Sequence, residues 1–218
     1  MKKIGILCII ALLTITITGC GTDNLKRNTA SDNNEESTVN VMDAEYTVAI
    51  KAGKSNIYLD EVLYYAYTAQ ATYEAYYISE EKQIDWNSDM KDGVTWQQGI
   101  KSIVLDDICR REYFYSVAKE YEVELSDSEE ESVQKAADEY FEQSSSKLIK
   151  KIGIKRERLK EIFEKQKLAQ RVEDIVNASD NSADEMYNKW KSANTVTADE
   201  QWDNINFNEP IFTLEDTK

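Results

Sequence analysis

The clearest chemistry in the sequence stands at the end of the first apolar run, Ile17-Thr18-Gly19-Cys20. An aliphatic residue, two small ones and a cysteine fit a lipobox. Small side chains let a peptidase close on the backbone before Cys20, and the Cys20 thiol is the acceptor for diacylglycerol. Lys2 and Lys3 supply a positive start, and residues 4–18 are apolar except for threonines. That run has the length of a secretory h-region and falls short of the ~20 residues that span a bilayer comfortably. The expectation is export, cleavage before Cys20, and a mature chain anchored by lipid on the extracytoplasmic side of the cell membrane. The alternative is a plain signal peptide with an incidental cysteine.

Other reactive constellations are sparse. The chain has no histidine, which excludes Ser-His-Asp and Cys-His catalysis and every His-ligated metal site, but leaves carboxylate and lysine chemistry open. With 41 acidic residues, pairs of carboxylates are unavoidable, and nothing in the sequence marks one pair as glycosidase machinery. Asp85-Trp86-Asn87-Ser88-Asp89 begins like a calcium loop. An EF-hand would then place glycine where Met90 stands and glutamate where Trp96 stands, so a polar turn is the better reading. With Cys20 lipidated, Cys109 has no partner in the mature chain, and its place on a helical apolar pattern makes it a small core residue. No catalytic residue, metal or cofactor is expected.

Six of the thirteen tyrosines fall between Tyr64 and Tyr77. At helical spacing Tyr65, Tyr73 and Tyr76 share a core face, while Tyr64 and Tyr67 fall elsewhere on the wheel. Either all are packing residues with wet hydroxyls, or the off-face rings line a cleft for apolar segments of other chains. Aromatic rings give large contact area at low entropic cost, which suits promiscuous binding. The candidates for such contacts are Tyr64, Tyr67, Tyr73, Tyr77 and Trp86.

Helices must position these side chains. One proline and seven glycines leave few breaks, so long helices are expected. Residues 21–43 are polar and nearly free of aliphatics, which predicts a flexible tether. Residues 46–58 alternate weakly around Ala52-Gly53-Lys54, as in a small hairpin or extended arm. Apolar steps from Val62 to Tyr76 predict a helix from Leu59 to near Ser79. Thr95 with Gln98 forms a capping box for a helix ending about Tyr121, with Trp96, Ile100, Ile103, Val104 and Ile108 inward. Ser126 with Glu129 opens another, which runs through Val133, Tyr140 and Ile152 to a left-handed stop at Gly153. Leu159, Ile162, Phe163, Val172, Ile175 and Val176 mark the next. Ser182 with Glu185 and Thr197 with Glu200 cap short helices bearing Met186 and Trp190, then Trp202 and Ile205. The fold class is all-α: an amphipathic helical bundle with a short arm or hairpin at its start. The divisions are a signal peptide (1–19), a lipidated tether (20–43), a helical domain (44–178) and a C-terminal segment packing back on the bundle (179–218).

The order of parts resembles a known family. An arm leads to an aromatic helix with Tyr73-Glu74-Ala75-Tyr76-Tyr77, then to a loop with Trp86 and Asp92-Gly93-Val94-Thr95. A long helix with Lys101-Ser102-Ile103-Val104-Leu105 follows, then Ala118-Lys119-Glu120-Tyr121-Glu122-Val123 and Leu125-Ser126-Asp127-Ser128-Glu129. Over residues 45–178 this is similar to the N-terminal chaperone region of SurA/PrsA-type foldases, which bind unfolded secreted chains. The family usually inserts a parvulin-type prolyl isomerase domain of roughly ninety residues. Only 40 residues follow Ala178 (218 − 178), and the histidines common in parvulin sites are missing. The resemblance therefore implies the chaperone module of SurA N-terminal type without the enzyme.

Removing residues 1–19 takes away two lysines, so the formal charge moves from −15 to −17. Such a chain repels nucleic acid and anionic lipid headgroups, which leaves the lipid as its only tie to the membrane. The favoured function is an extracytoplasmic chaperone or foldase-like lipoprotein for unfolded or partly folded exported proteins. The alternatives are a helical lipoprotein that binds one folded partner, and, further off, an enzyme or solute-binding protein.

Overall fold

The computed structural model describes residues 44–179 and 181–217; Cys20 and the stretches expected to be a signal peptide (1–19) and a tether (20–43) lie outside the described residues. The chain starts with a hairpin of β1 (Val48–Ala52) and β2 (Ser55–Tyr58), turned at Gly53 with φ +61°. Helix α1 (Leu59–Ser79) follows directly, with Asp60 and Glu61 in its first turn, where carboxylates oppose the helix dipole. A second hairpin, β3 (Asp89–Lys91) and β4 (Val94–Thr95), turns on Asp92-Gly93, both at positive φ as a two-residue hairpin turn requires.

Helices α2 (Trp96–Ser116), α3 (Asp127–Gln143), α4 (Ser146–Ile152), α5 (Arg156–Ala178) and α6 (Ala183–Ala193) come next. Thr95 and Ser126 form the capping boxes of α2 and α3 with Gln98 and Glu129, and Gly153 ends α4 at φ +68°. Helix α5 packs on α2 and α3, and α1 packs on α2 and α4. Leu63, Ile100, Ile108, Phe114, Leu159 and Ile162 fill the space between them.

Four sequence expectations are corrected. First, the fold is mostly helical but not all-α. Strand β5 (Val196–Ala198) pairs antiparallel with β1, giving a three-stranded sheet in the order β2-β1-β5. Three residues are too few for a readable period, and their strand character comes from the free edge of β1. Second, Thr197 is therefore a strand residue. The cap of α7 (Glu200–Asn204) is Asp199, whose Oδ1 accepts from Gln201 N at 3.1 Å. Third, α2 ends at Ser116 rather than near Tyr121, and the chain turns through Glu122 at φ +53°. Fourth, the helix expected over 126–152 breaks at Ser144-Ser145. Ser145 Oγ accepts from Leu148 N at 3.1 Å and restarts it as α4, the usual serine competition with helical backbone.

Candidate functional site

Helix α1 is covered along its central turns by α2, α4, α7 and the hairpin strands, so these turns present no apolar face away from the core. The off-face cleft drawn from the helical wheel is accordingly absent at its centre. Tyr64 is buried edge-on against the rings of Tyr65, Tyr140 and Phe163, at 5.1, 5.5 and 5.8 Å. Burial raises its hydroxyl pKa well above the usual tyrosine value. Tyr67 is buried beside Phe207, with Lys151 Nζ 4.7 Å from its ring centre, and burial pushes its hydroxyl up to about 12. Trp86 is buried with its ring 4.7 Å from Phe207. These three side chains are packing residues here: Tyr64 and Tyr67 lie on the covered central turns of α1, and Trp86 folds from the following loop onto Phe207.

Tyr73 and Tyr77 are half-buried and meet Trp96 at 6.3 and 5.7 Å. Tyr76, assigned by spacing to the core face, is instead 62% exposed, with its ring 5.8 Å from Tyr77. The β3–β4 hairpin extends this surface with Met90 (38% exposed) and Val94 (43% exposed). Met90 Sδ occupies the place a Cβ on Gly99 would take, so the glycine seats the hairpin against α2. Trp96 N donates to Ser88 O at 3.1 Å and Gln97 N to Trp86 O at 2.9 Å, which fixes the loop behind the rings. The result is an aromatic shelf at the junction of α1 and α2, with Tyr76 exposed and Tyr77 and Trp96 half-buried, beside a hairpin that carries the exposed Met90 and Val94. Tyr76, Met90 and Val94 escaped the sequence reading because period alone cannot say where a helix outruns its neighbours.

Two polar centres lie inside the bundle. Glu61 on α1 and Glu112 on α2 both pair with Lys165 on α5; the Glu61 contacts are 2.8 and 3.1 Å. Arg158 joins them through Asp60 Oδ2, at 2.7 Å from its Nε. Burial pushes the Glu61 carboxyl above its usual range against the pull of Lys165, while the two glutamates hold Lys165 protonated despite its own burial. At the other end of α1, Glu74 accepts from Gln70 Nε2 at 2.8 Å and Trp86 Nε1 at 3.2 Å. It also accepts from the backbone N–H groups of Ile211 and Phe212, at 2.7 and 2.8 Å. Gln70 and Glu74 sit four residues apart in a stretch (62–78) whose other residues are apolar, aromatic or threonine, and that spacing was the available signal.

Cys109 is a free, buried thiol whose pKa burial pushes up to about 12, which suits packing rather than reaction. Among the described residues no group of three or more acidic or cysteine side chains is placed to hold a metal ion, and no helix is long and apolar enough to cross a membrane. Compared with family models, with curated proteins and with solved structures, the chain matched none.

Proposed function

We propose that this chain is a lipid-anchored extracytoplasmic chaperone-type protein that binds unfolded or partly folded exported polypeptides, without isomerase activity. The observation that carries the reading is the aromatic shelf. Large apolar groups on a chain of such negative charge have no solvation reason to stay outside, and an exposed cluster rimmed by polar residues marks an interaction surface. Tyrosine, tryptophan and methionine together offer adaptable contact to many apolar sequences. The lipobox at Cys20 would hold that surface where exported chains emerge, and the resemblance to SurA/PrsA-type chaperone regions points the same way.

The test uses the full chain, purified in mild detergent, against several unrelated proteins diluted from denaturant. The wild type is expected to suppress aggregation of more than one of them. Tyr76→Ser combined with Val94→Thr is expected to lose most of that effect while unfolding at an unchanged temperature. Failure of the wild type on every client, with retention of one folded partner from a membrane extract, would instead establish a dedicated adaptor.

A further inference from the structure

After α7, residues 205–213 cross the bundle in neither helix nor sheet. Buried main-chain groups need partners, and here side chains of the bundle supply them. Lys101 Nζ donates to the Ile205 carbonyl at 2.9 Å, and Phe207 N donates to Gln97 Oε1 at 2.7 Å. Gln70 Nε2 donates to the carbonyls of Phe207 and Glu209 at 3.2 and 2.9 Å, and Lys151 Nζ reaches the same Glu209 oxygen at 2.7 Å. Glu74 then takes the two N–H groups of Ile211 and Phe212 on a single oxygen. Between these contacts Ile205, Phe207 and Ile211 are buried against the core.

This arrangement reads a backbone and an apolar spacing, and Asn206 shapes the segment from within by accepting from Asn208 N at 3.3 Å. A groove that satisfies carbonyls with lysine and amide donors, and N–H groups with a carboxylate, fits a chain with apolar residues at its first, third and seventh positions that can bend as the resident one does at Glu209, Ile211 and Phe212. Gln70 is fully buried, yet its Oε1 meets no donor, so the resident segment leaves one polar group of the groove unfilled. We infer that the trough lined by Gln70, Glu74, Gln97, Lys101 and Lys151 is a binding groove for an irregular segment of another polypeptide with this apolar spacing, which residues 205–213 occupy in cis. The segment is a resident pseudo-ligand, and an incoming chain with the same apolar spacing displaces it. Main-chain capture with apolar pockets is the logic of strand-type peptide recognition, with side chains here in place of a sheet edge. The groove is separate from the aromatic shelf: peptide uptake without aggregation suppression would uphold the groove and remove the shelf reading.

The probe is a fluorescein-labelled peptide with the sequence of residues 203–214, added to the full chain. Phe207→Ala in the protein weakens the resident segment and leaves every groove side chain intact. This variant is expected to bind the peptide at least about tenfold more tightly than wild type, because less of the groove is occupied at equilibrium. A peptide carrying the same Phe-to-Ala change should lose that binding. A variant that keeps its far-UV circular dichroism but takes up no peptide overturns the proposal, as does one that only forms dimers by exchanging its own segments. Should Phe207→Ala fail to fold, amide exchange in the wild type decides. The N–H groups of Phe207, Ile211 and Phe212 exchanging at least about tenfold faster than those of Ala66 and Ala69 shows a segment that lifts locally. Equal rates, set by global unfolding, overturn it.

Discussion

Glu61 and Glu74 are both buried on α1, and the surroundings neutralise them by different means. Glu61 is met by charge, from Lys165 directly and from Arg158 at 3.8 Å. Glu74 is met by four N–H donors, two of them backbone groups of the segment that crosses the helix. A charged pair joins two elements that were going to pack anyway, since α1, α2 and α5 already share an apolar interface. A carboxylate satisfied by N–H groups can instead hold a stretch of chain that has no regular structure to hold itself. The first centre fixes how helices sit against one another; the second fixes a connection that no periodicity specifies.

The strongest way to break this contrast is Lys165→Met. It strands Glu61 and Glu112 in the interior without their shared cation, and losing one partner of a buried ion pair costs about 3–5 kcal/mol. A urea melt at neutral pH should show that loss. The sign with pH follows from Glu61. Its carboxyl already titrates above the ordinary range because of burial, and without Lys165 it is raised further. The native variant then binds a proton that the unfolded chain does not, so its stability rises as pH falls toward the unfolded value. The gap to wild type should therefore narrow in mild acid. A gap that stays constant from neutral pH down to pH 5 would mean that the cluster is solvated and its charges count for little.

Glu74→Ala should cost somewhat less, about 2–4 kcal/mol, because its four donors are freed next to a segment that can move into water. The difference in kind matters more than the difference in size. Loss of Lys165 should loosen the whole bundle, whereas loss of Glu74 should free the amides of Ile211 and Phe212 first, seen as exchange that speeds there and not at Ala66. Uniform acceleration in both variants would erase the distinction between the two centres.

The parts that were legible in the sequence are those with a local physical cause. The capping boxes at Thr95 and Ser126, the left-handed Gly153, the Asp92-Gly93 turn and the extent of α1 each depend on a few neighbouring residues, and each is found in the structure. What the sequence hid depends on distant ones. Strand β5 exists because β1 offers an edge, and Ile103 and Ile175 stay partly exposed because no element covers their turn of helix. Tyr64 and Tyr67 share this cause: a helical wheel has an outside only if some direction lacks a neighbour, and around the middle of α1 none does. Buried Tyr187, whose hydroxyl donates to Asp106 Oδ1 at 2.9 Å, sat one residue beyond the Met186 read as the inward position.

Lys101 sharpens the comparison from the cationic side, and with the smallest effect. Its ammonium lies over the Trp202 ring at 5.0 Å and donates to the carbonyls of Trp202, Asp203 and Ile205 at 2.6, 3.2 and 2.9 Å. It is the counterpart of Glu74: a charge held chiefly by backbone dipoles, at the entry of the same segment. Burial lowers its pKa to about 8, with Asp203 pulling the other way. In the unfolded chain the lysine titrates near its ordinary value of about 10.4. Between those two values the unfolded state keeps a proton that the native state has released, so this group makes stability rise with pH across that window. Below pH 8 both states are protonated and its contribution is flat. The slope cannot exceed about 1.4 kcal/mol per pH unit for one proton, and residual solvent contact reduces it. Buried tyrosines titrate at higher pH with the opposite sign, so the measurement is the difference between wild type and Lys101→Met, followed by urea melts from pH 7 to 10. That difference should be constant up to about pH 8 and then shift in favour of the wild type. A flat difference throughout would mean that Lys101 keeps its proton, because the three carbonyls and Asp203 outweigh burial, and that dipoles alone stabilise a buried charge here as fully as the ion pairs at Glu61.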